Sequence, residues 1–293
     1  MESPDTQPES RVTLEPKPAI EWDYYGLTHP GKVRETNQDH FLICSLRKHM
    51  EVHRTNLPDL DQLPLEGERL AYLGMVADGV GSGTGGGEAS RRALEEIAQY
   101  VAYTMRCYYT ADATNERVFL DALEEAAMRG HARVMEMADA DPDRRRMATT
   151  LTLWIGAWPH SYLLQVGDSR FYLYGKDGLT QISRDQTMAQ ELVDQGVLTQ
   201  SDAENSHWAH VLSSAIGGTQ AAPVVTRVDQ AWSGVGLLCS DGLTKHVTDE
   251  RIEECLRTMT SARQVCRDLL QEVLDDGGTD NVTIIVARVK EDV

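Results

Sequence analysis

The sequence predicts an α+β protein, a four-layer α-β-β-α sandwich in which two antiparallel sheets lie face to face with helices outside. The order of elements carries that expectation: strands, two long helices, more strands, more helices and a last strand. The short strands separated by turn residues suit antiparallel pairing. A further observation sets a limit, since no apolar run approaches the roughly 18 residues that a membrane span needs.

Residues 1–20 are rich in Pro, Glu and Ser with few large apolar groups, which predicts a disordered tail. From Trp22 the pattern is strand-like: WDYYGLTH, a turn at Pro30 and Gly31, then the apolar run HFLICSL. Residues 55–68 hold two prolines and several acids and read as an exposed loop before the next strand, LAYLGMVA. Two helices are expected from Glu88 to about Tyr109 and from Asn115 to about Ala140, with Leu94, Ile97 and Val101 recurring at helical spacing. Their apolar stripes read as core packing.

From Met147 the period becomes that of strands. TTLTLWIGAW, SYLLQVGD, RFYLYGKDG and LTQIS, joined at Pro159, Gly167-Asp168-Ser169 and Lys176-Asp177-Gly178, read as an antiparallel meander. Residues 187–215 turn helical and polar, and strand signals return in PVVTRVDQ and GVGLLCSDG. Helices at about 248–259 and 261–275 lead to a last strand, NVTIIVARV. Together these elements define one domain over residues 21–290.

Among the 293 residues, 28 Lys plus Arg against 46 Asp plus Glu give a formal charge of −18. That balance repels nucleic-acid phosphates and anionic lipid, so neither partner is expected. Five cysteines with no C-x-x-C pair signal neither a disulfide framework nor a thiolate zinc site, which suits a reducing cytoplasm. The first residues lack the basic and apolar regions of an export signal.

The glycine cluster DGVGSGTGGGEAS at 78–90 invites a nucleotide reading, because Gly81, Gly83 and Gly86 satisfy G-x-G-x-x-G. The context fails. A dinucleotide unit needs a second strand within about 30 residues, whereas a second helical stretch follows here. A P-loop needs Lys and Ser/Thr after its last glycine, and Gly87 is followed by Glu88 and Ala89.

Attention moves to aspartates. Asp78, Asp168, Asp241 and Asp280 each sit at a strand end or tight loop beside small residues. Any one alone reads as turn chemistry. As a set on converging loops they would repel one another unless hard divalent cations sat among them. Oxygen-only donors point to Mg²⁺ or Mn²⁺. His29, His40, His207, His210 and His246 show no ligand spacing and read as surface or packing residues.

The segments GKVRETNQDHF, VADGVGSGTGGGEAS, ATTLTLW, VGDSRFYLY, LLCSDGLT and GGTDNVTIIV, in this order, resemble the metal-dependent protein serine/threonine phosphatases of type 2C. SRDQTMAQELVDQG, running on to HVLSSAIGG, resembles the bacterial branch, where it leads into a mobile flap. The resemblance implies hydrolysis of phosphoserine and phosphothreonine in proteins by a water or hydroxide bridging metal ions, in opposition to a kinase. Two or three Mg²⁺ or Mn²⁺ ions are implied. Asp78 would bridge two of them and the Gly79 carbonyl would ligate one; Asp241 and Asp280 would hold the first, Asp39 would serve the second, and Asp168 would help bind a third, weaker ion. Arg34 would grip the substrate phosphate through two oxygens at once. The glycine loop would let backbone approach the metals.

Where the better-known eukaryotic pattern has a histidine after Asp-Gly, this sequence has Val80, which leaves the general acid unassigned. Residues 45–70 are longer than the compact bacterial pattern. The rival reading is a catalytically silent relative that binds phosphoproteins as an adaptor or sensor. Such relatives have usually lost metal aspartates, and their retention here favours the enzyme.

Overall fold

The computed structural model describes residues 21–48, 68–81, 85–108, 116–141, 146–229 and 232–290. The expected tail at 1–20 and most of the expected long loop lie outside the described residues.

Strands β1 (Trp22–His29), β2 (His40–Lys48) and β3 (Glu68–Ala77) come first, followed by a two-residue strand β4 (Gly79–Val80). Helices α1 (Gly85–Tyr108) and α2 (Glu116–Ala140) follow. Next come β5 (Ala148–Thr149), β6 (Leu151–Ala157), β7 (His160–Val166), β8 (Arg170–Gly175), β9 (Gly178–Gln181) and the short helices α3 (Met188–Asp194) and α4 (Gln200–Glu204). The chain closes with β10 (Val224–Arg227), β11 (Val235–Cys239), α5 (Asp241–Thr244), α6 (Asp249–Arg257), α7 (Ala262–Asp275) and β12 (Val282–Val289).

Two five-stranded sheets result, ordered β1-β12-β11-β8-β9 and β10-β7-β6-β3-β2, with β4 and β5 as a separate small pair. Every pairing is antiparallel. Three apolar clusters fill the spaces between the layers. Ala93, Ile97, Val101, Leu123 and Val134 of α1 and α2 pack with Leu73, Met75, Leu153 and Ile155. Leu256, Val265, Leu269 and Val273 of α6 and α7 pack with Leu237, Ile284 and Val286. Val76, Leu163, Phe171, Leu238 and Ile285 fill the space between the sheets. The expected α-β-β-α sandwich is borne out.

Strand β12 shows how sequence produces the layering. Val282, Ile284 and Val286 join the helix-side cluster while Ile285 joins the inter-sheet cluster, because successive side chains leave a strand on opposite faces. Both faces being buried, the strand reads as a continuous apolar run rather than an alternating one. Helices α6 and α7 start close to the expected positions because Thr248 and Ser261 accept from the N–H groups of Arg251 and Gln264, a standard N-cap bond.

Four local expectations are corrected. The strands from Met147 to Ser183 do not form one meander: β6 pairs with β7 in one sheet, and β8 pairs with β9 in the other. The chain changes sheets at Gly167, whose φ of +101° is open to glycine at no steric cost; strand periodicity carries no record of which sheet a strand joins. The run TTLTLWIGAW is interrupted at Thr150, between β5 and β6, because the Thr150 N–H bonds the Asp78 carbonyl at 2.9 Å. Helix α1 begins at Gly85, not Glu88, so it absorbs three of the glycines. The Asp241-Gly242 pair is not a bare turn but opens α5.

Candidate active site

Asp78 follows the last residue of β3, and its backbone is clamped on both sides. Its N–H donates to Thr150 Oγ1 at 3.0 Å. Its carbonyl accepts from Thr149 Oγ1 at 2.8 Å and from the Thr150 N–H. Thr150 in turn bonds Ser169 Oγ at 2.7 Å, which ties the Asp78 turn to the buried Gly167-Asp168-Ser169 crossover between the sheets.

The glycine cluster works by close approach of backbone. A Cβ on Gly79 would overlap the Gly86 carbonyl, and a Cβ on Gly86 would overlap Gly79 and Gln38. The start of α1 therefore lies against the Asp78-Gly79 peptide at a separation only glycines permit. Gly242 has the same role on the opposite side of the site, where a Cβ would overlap the Asn281 carbonyl.

Asp39, just before β2, is 3% exposed. One of its oxygens accepts from Ser240 Oγ at 2.7 Å and Thr283 Oγ1 at 2.8 Å; the other is buried with no partner among the described residues. Asp241, the first residue of α5, likewise keeps one buried oxygen unpartnered. Its other oxygen is 2.6 Å from Lys245 Nζ. Lys245 also reaches Asp280 at 2.8 Å, and Asp280 accepts two bonds from Arg34, 2.7 Å from Nε and 3.0 Å from Nη2. Asn281 fastens the neighbouring segment: its Oδ1 accepts from the Gln38 N–H at 2.8 Å, and its Nδ2 donates to the Pro30 and Thr36 carbonyls at 3.0 and 2.9 Å.

The electrostatics follow from these positions. Loss of water around Asp78, then the negative charges of Asp39, Asp241 and Asp168, push its carboxyl well above the usual carboxylate range. Asp39 is also raised, by burial first. Burial, followed by the charges of Asp241 and Asp185, pushes Asp168 up to about 8. Asp280 goes the other way. Burial raises it, but the bonds from Arg34 and Lys245 prevail and hold it at about 2.

All the sequence-predicted residues thus fall in one neighbourhood, reached from β2, β3, the β7–β8 crossover, α5 and the start of β12. As the side chains stand, no three His, Cys, Asp or Glu groups among the described residues converge as a cation cage, and the basic groups of Arg34 and Lys245 occupy Asp280 and one oxygen of Asp241. The donor set nevertheless fits hard cations: the oxygens come from carboxylates, two of them buried and unpartnered, and the mutual repulsion raising Asp78 is what a cation would relieve. Sequence reasoning missed Thr149, Thr150, Ser240, Thr283 and Asn281, isolated polar residues with no spacing signal. It also missed Lys245, whose position four residues after Asp241 on a helix is such a signal. His246 joins the loop before β12, bonding Asp276 and Thr279 at 2.8 and 2.9 Å, a packing role as expected. Val80 is 39% exposed.

A family model described as protein phosphatase 2C matches residues 51–276, a span that includes Asp78, Asp168 and Asp241. The serine/threonine protein phosphatase PstP of Mycobacterium tuberculosis is 33% identical over 219 residues, which make up 75% of this chain and 40% of that protein. The chain therefore spans well under half the length of these mycobacterial relatives. The serine/threonine phosphatase stp of Listeria innocua is 30% identical over 215 residues, 73% of this chain and 83% of that one. The crystal structure of Mycobacterium tuberculosis PstP/Ppp is similar with a TM-score of 0.72 at 28% identity, covering 93% of this chain and 100% of that one. A structure of the PstP catalytic domain in complex with two manganese ions is similar with a TM-score of 0.69 at 28% identity, covering 93% and 99% of the respective chains.

Proposed function

This chain belongs to the protein phosphatase 2C family, and from that premise we propose that it removes phosphate from serine and threonine side chains of proteins with the help of two or three Mg²⁺ or Mn²⁺ ions. The observation that carries the reading is the convergence of Asp39, Asp78 and Asp168 on Asp241, near enough that, beside burial, its negative charge raises the proton affinity of all three, with unpartnered oxygens on Asp39 and Asp241. Bound divalent cations would supply charge stabilisation at phosphorus and a water of lowered pKa.

The chain's own residues do the rest. Asp39, Asp78, Asp241 and Asp280, with the Gly79 carbonyl, are the donors for the cations, and Asp168 serves a further one. Ser240 and Thr283 fix one Asp39 oxygen and so aim the other inward. The clamp from Thr149 and Thr150 fixes the Asp78 backbone. Arg34, with its side chain 56% exposed, now holds Asp280 through two donors. A substrate phosphate offers the same paired acceptors, so Arg34 would bind it through the same two donors once a cation held by Asp280 left them free. We place this activity in residues 21–290, acting in the cytoplasm on proteins phosphorylated by a serine/threonine kinase.

The test is hydrolysis of a phosphothreonine peptide by metal-stripped protein with and without Mn²⁺. Turnover should require the cation, and Asp78→Asn and Asp241→Asn should each lower it beyond the about 10–100-fold typical of losing an outer-sphere partner. Undiminished turnover in either variant, or equal turnover in chelator, would defeat the assignment. Phosphopeptide binding without turnover would favour the adaptor reading.

A further inference from the structure

Lys245 is the first residue after α5, and the helix dictates where it goes. It lies four residues beyond Asp241, one turn along the same face, and its N–H closes that turn on the Asp241 carbonyl at 2.9 Å. Its ammonium lies within hydrogen-bond distance of Asp241 and Asp280 together, at 2.6 and 2.8 Å, and the side chain is only 23% exposed. Two carboxylate oxygens from distant segments that reach one nitrogen are also near enough to share one divalent ion, whose bonds to oxygen run about 2.0–2.6 Å. The position that joins these two carboxylates is therefore held by a charge built into the chain.

Building on the cation-binding reading above, we propose that Lys245 is a resident cation of the site, which holds Asp241 and Asp280 together before metal arrives and sets the affinity by competing with it. The Lys245 ammonium would move outwards on its flexible stem if Asp241 and Asp280 held a divalent ion, because a single positive charge and a double one repel at this range. Arg34 does not share the role in full: it bonds Asp280 alone, so it leaves Asp241 free for metal. Lys245 bonds both.

An ordinary surface ion pair makes a different forecast from a competitor for the site. Loss of an ion pair lowers stability by the same amount with or without metal. Loss of a competing cation destabilises the metal-stripped protein and tightens metal binding, so that the deficit disappears on loading, as linkage requires.

The experiment uses the full chain, stripped of metal, as wild type, Lys245→Met and Lys245→Arg. Mn²⁺ dissociation constants come from calorimetry, and melting temperatures are read in EDTA and in saturating Mn²⁺. Lys245→Met should bind Mn²⁺ about tenfold more tightly, melt lower in EDTA and match wild type when loaded, while Lys245→Arg stays close to wild type. Lys245→Gln replaces the Met variant if that protein does not fold. An affinity unchanged or weakened in the uncharged variant, or an equal melting deficit in both buffers, overturns the inference alone. Wild-type protein that takes up no Mn²⁺ overturns it together with the proposed function.

Discussion

Truncating Asn281 to alanine should cost about 3–5 kcal/mol, a large share of the margin of about 5–15 kcal/mol by which folded proteins are stable. The figure comes from three bonds that join the start of β12 to the segment carrying Arg34 and Asp39. The Gln38 N–H, which donates to Asn281 Oδ1 at 2.8 Å, is partly buried; without an acceptor it costs about 1–3 kcal/mol. The Pro30 and Thr36 carbonyls, which accept from Nδ2 in part-buried bonds, can turn to water with either lone pair, so each loss is nearer about 1 kcal/mol. Asn281 itself is 6% exposed, so little of the truncated volume can be filled by water without further cost. Urea unfolding followed by the fluorescence of the five tryptophans reads the effect directly, as a lower midpoint with an unchanged slope. A loss under about 1 kcal/mol would refute the reasoning that these bonds are the fastening of the segment.

Other expectations follow from the same structure. Gly79→Ala should lose about 3 kcal/mol of stability, the upper end of the cost of overpacking a core, since the added Cβ meets backbone of Gly86 and Gln38 that no rotamer change can relieve; an unaltered urea midpoint would contradict it. For pH, the folded metal-stripped protein keeps protons on Asp39, Asp78 and Asp168, the last up to about 8, where the unfolded chain has released them by about pH 5. The folded state then binds more protons, so stability falls as pH rises from about 5 to 8, by up to about 1.4 kcal/mol per pH unit for each such carboxyl. Asp280, held at about 2, acts only below about pH 4, where its contribution is lost as it protonates. Urea midpoints in EDTA across this range check the sign, and a midpoint that rises towards pH 8 would refute it. Mn²⁺ affinity should rise over the same range because the cation must displace those protons, which calorimetry at two pH values decides.

Length of run, turn residues and period determined the layers. The apolar run of β12, the helical stripe through Ile97 and Val101 and the Thr248 and Ser261 caps are local signals, written in residues that act within a few positions of themselves. The aspartates were legible for a related reason: each stands beside a glycine or small residue at a strand end, and carboxylates so placed need a compensating charge. The resemblance then grouped them. What sequence could not carry was pairing across distance. Nothing in Gly79 or Gly242 says that the backbone of Gly86 or Asn281 will pass against it. Nothing in Ser240 or Thr283 distinguishes a hydroxyl aimed at Asp39 from any other serine or threonine. The break of the apparent meander at Gly167 is of the same kind, since period 2 fixes the faces of a strand but not its sheet. Which carboxylate receives Arg34, 246 residues from Asp280, and that Lys245 bridges Asp241 to Asp280, 35 residues beyond that lysine, was decided only when these segments were folded together, because hydrogen bonds and charge act through space and leave no period along the chain.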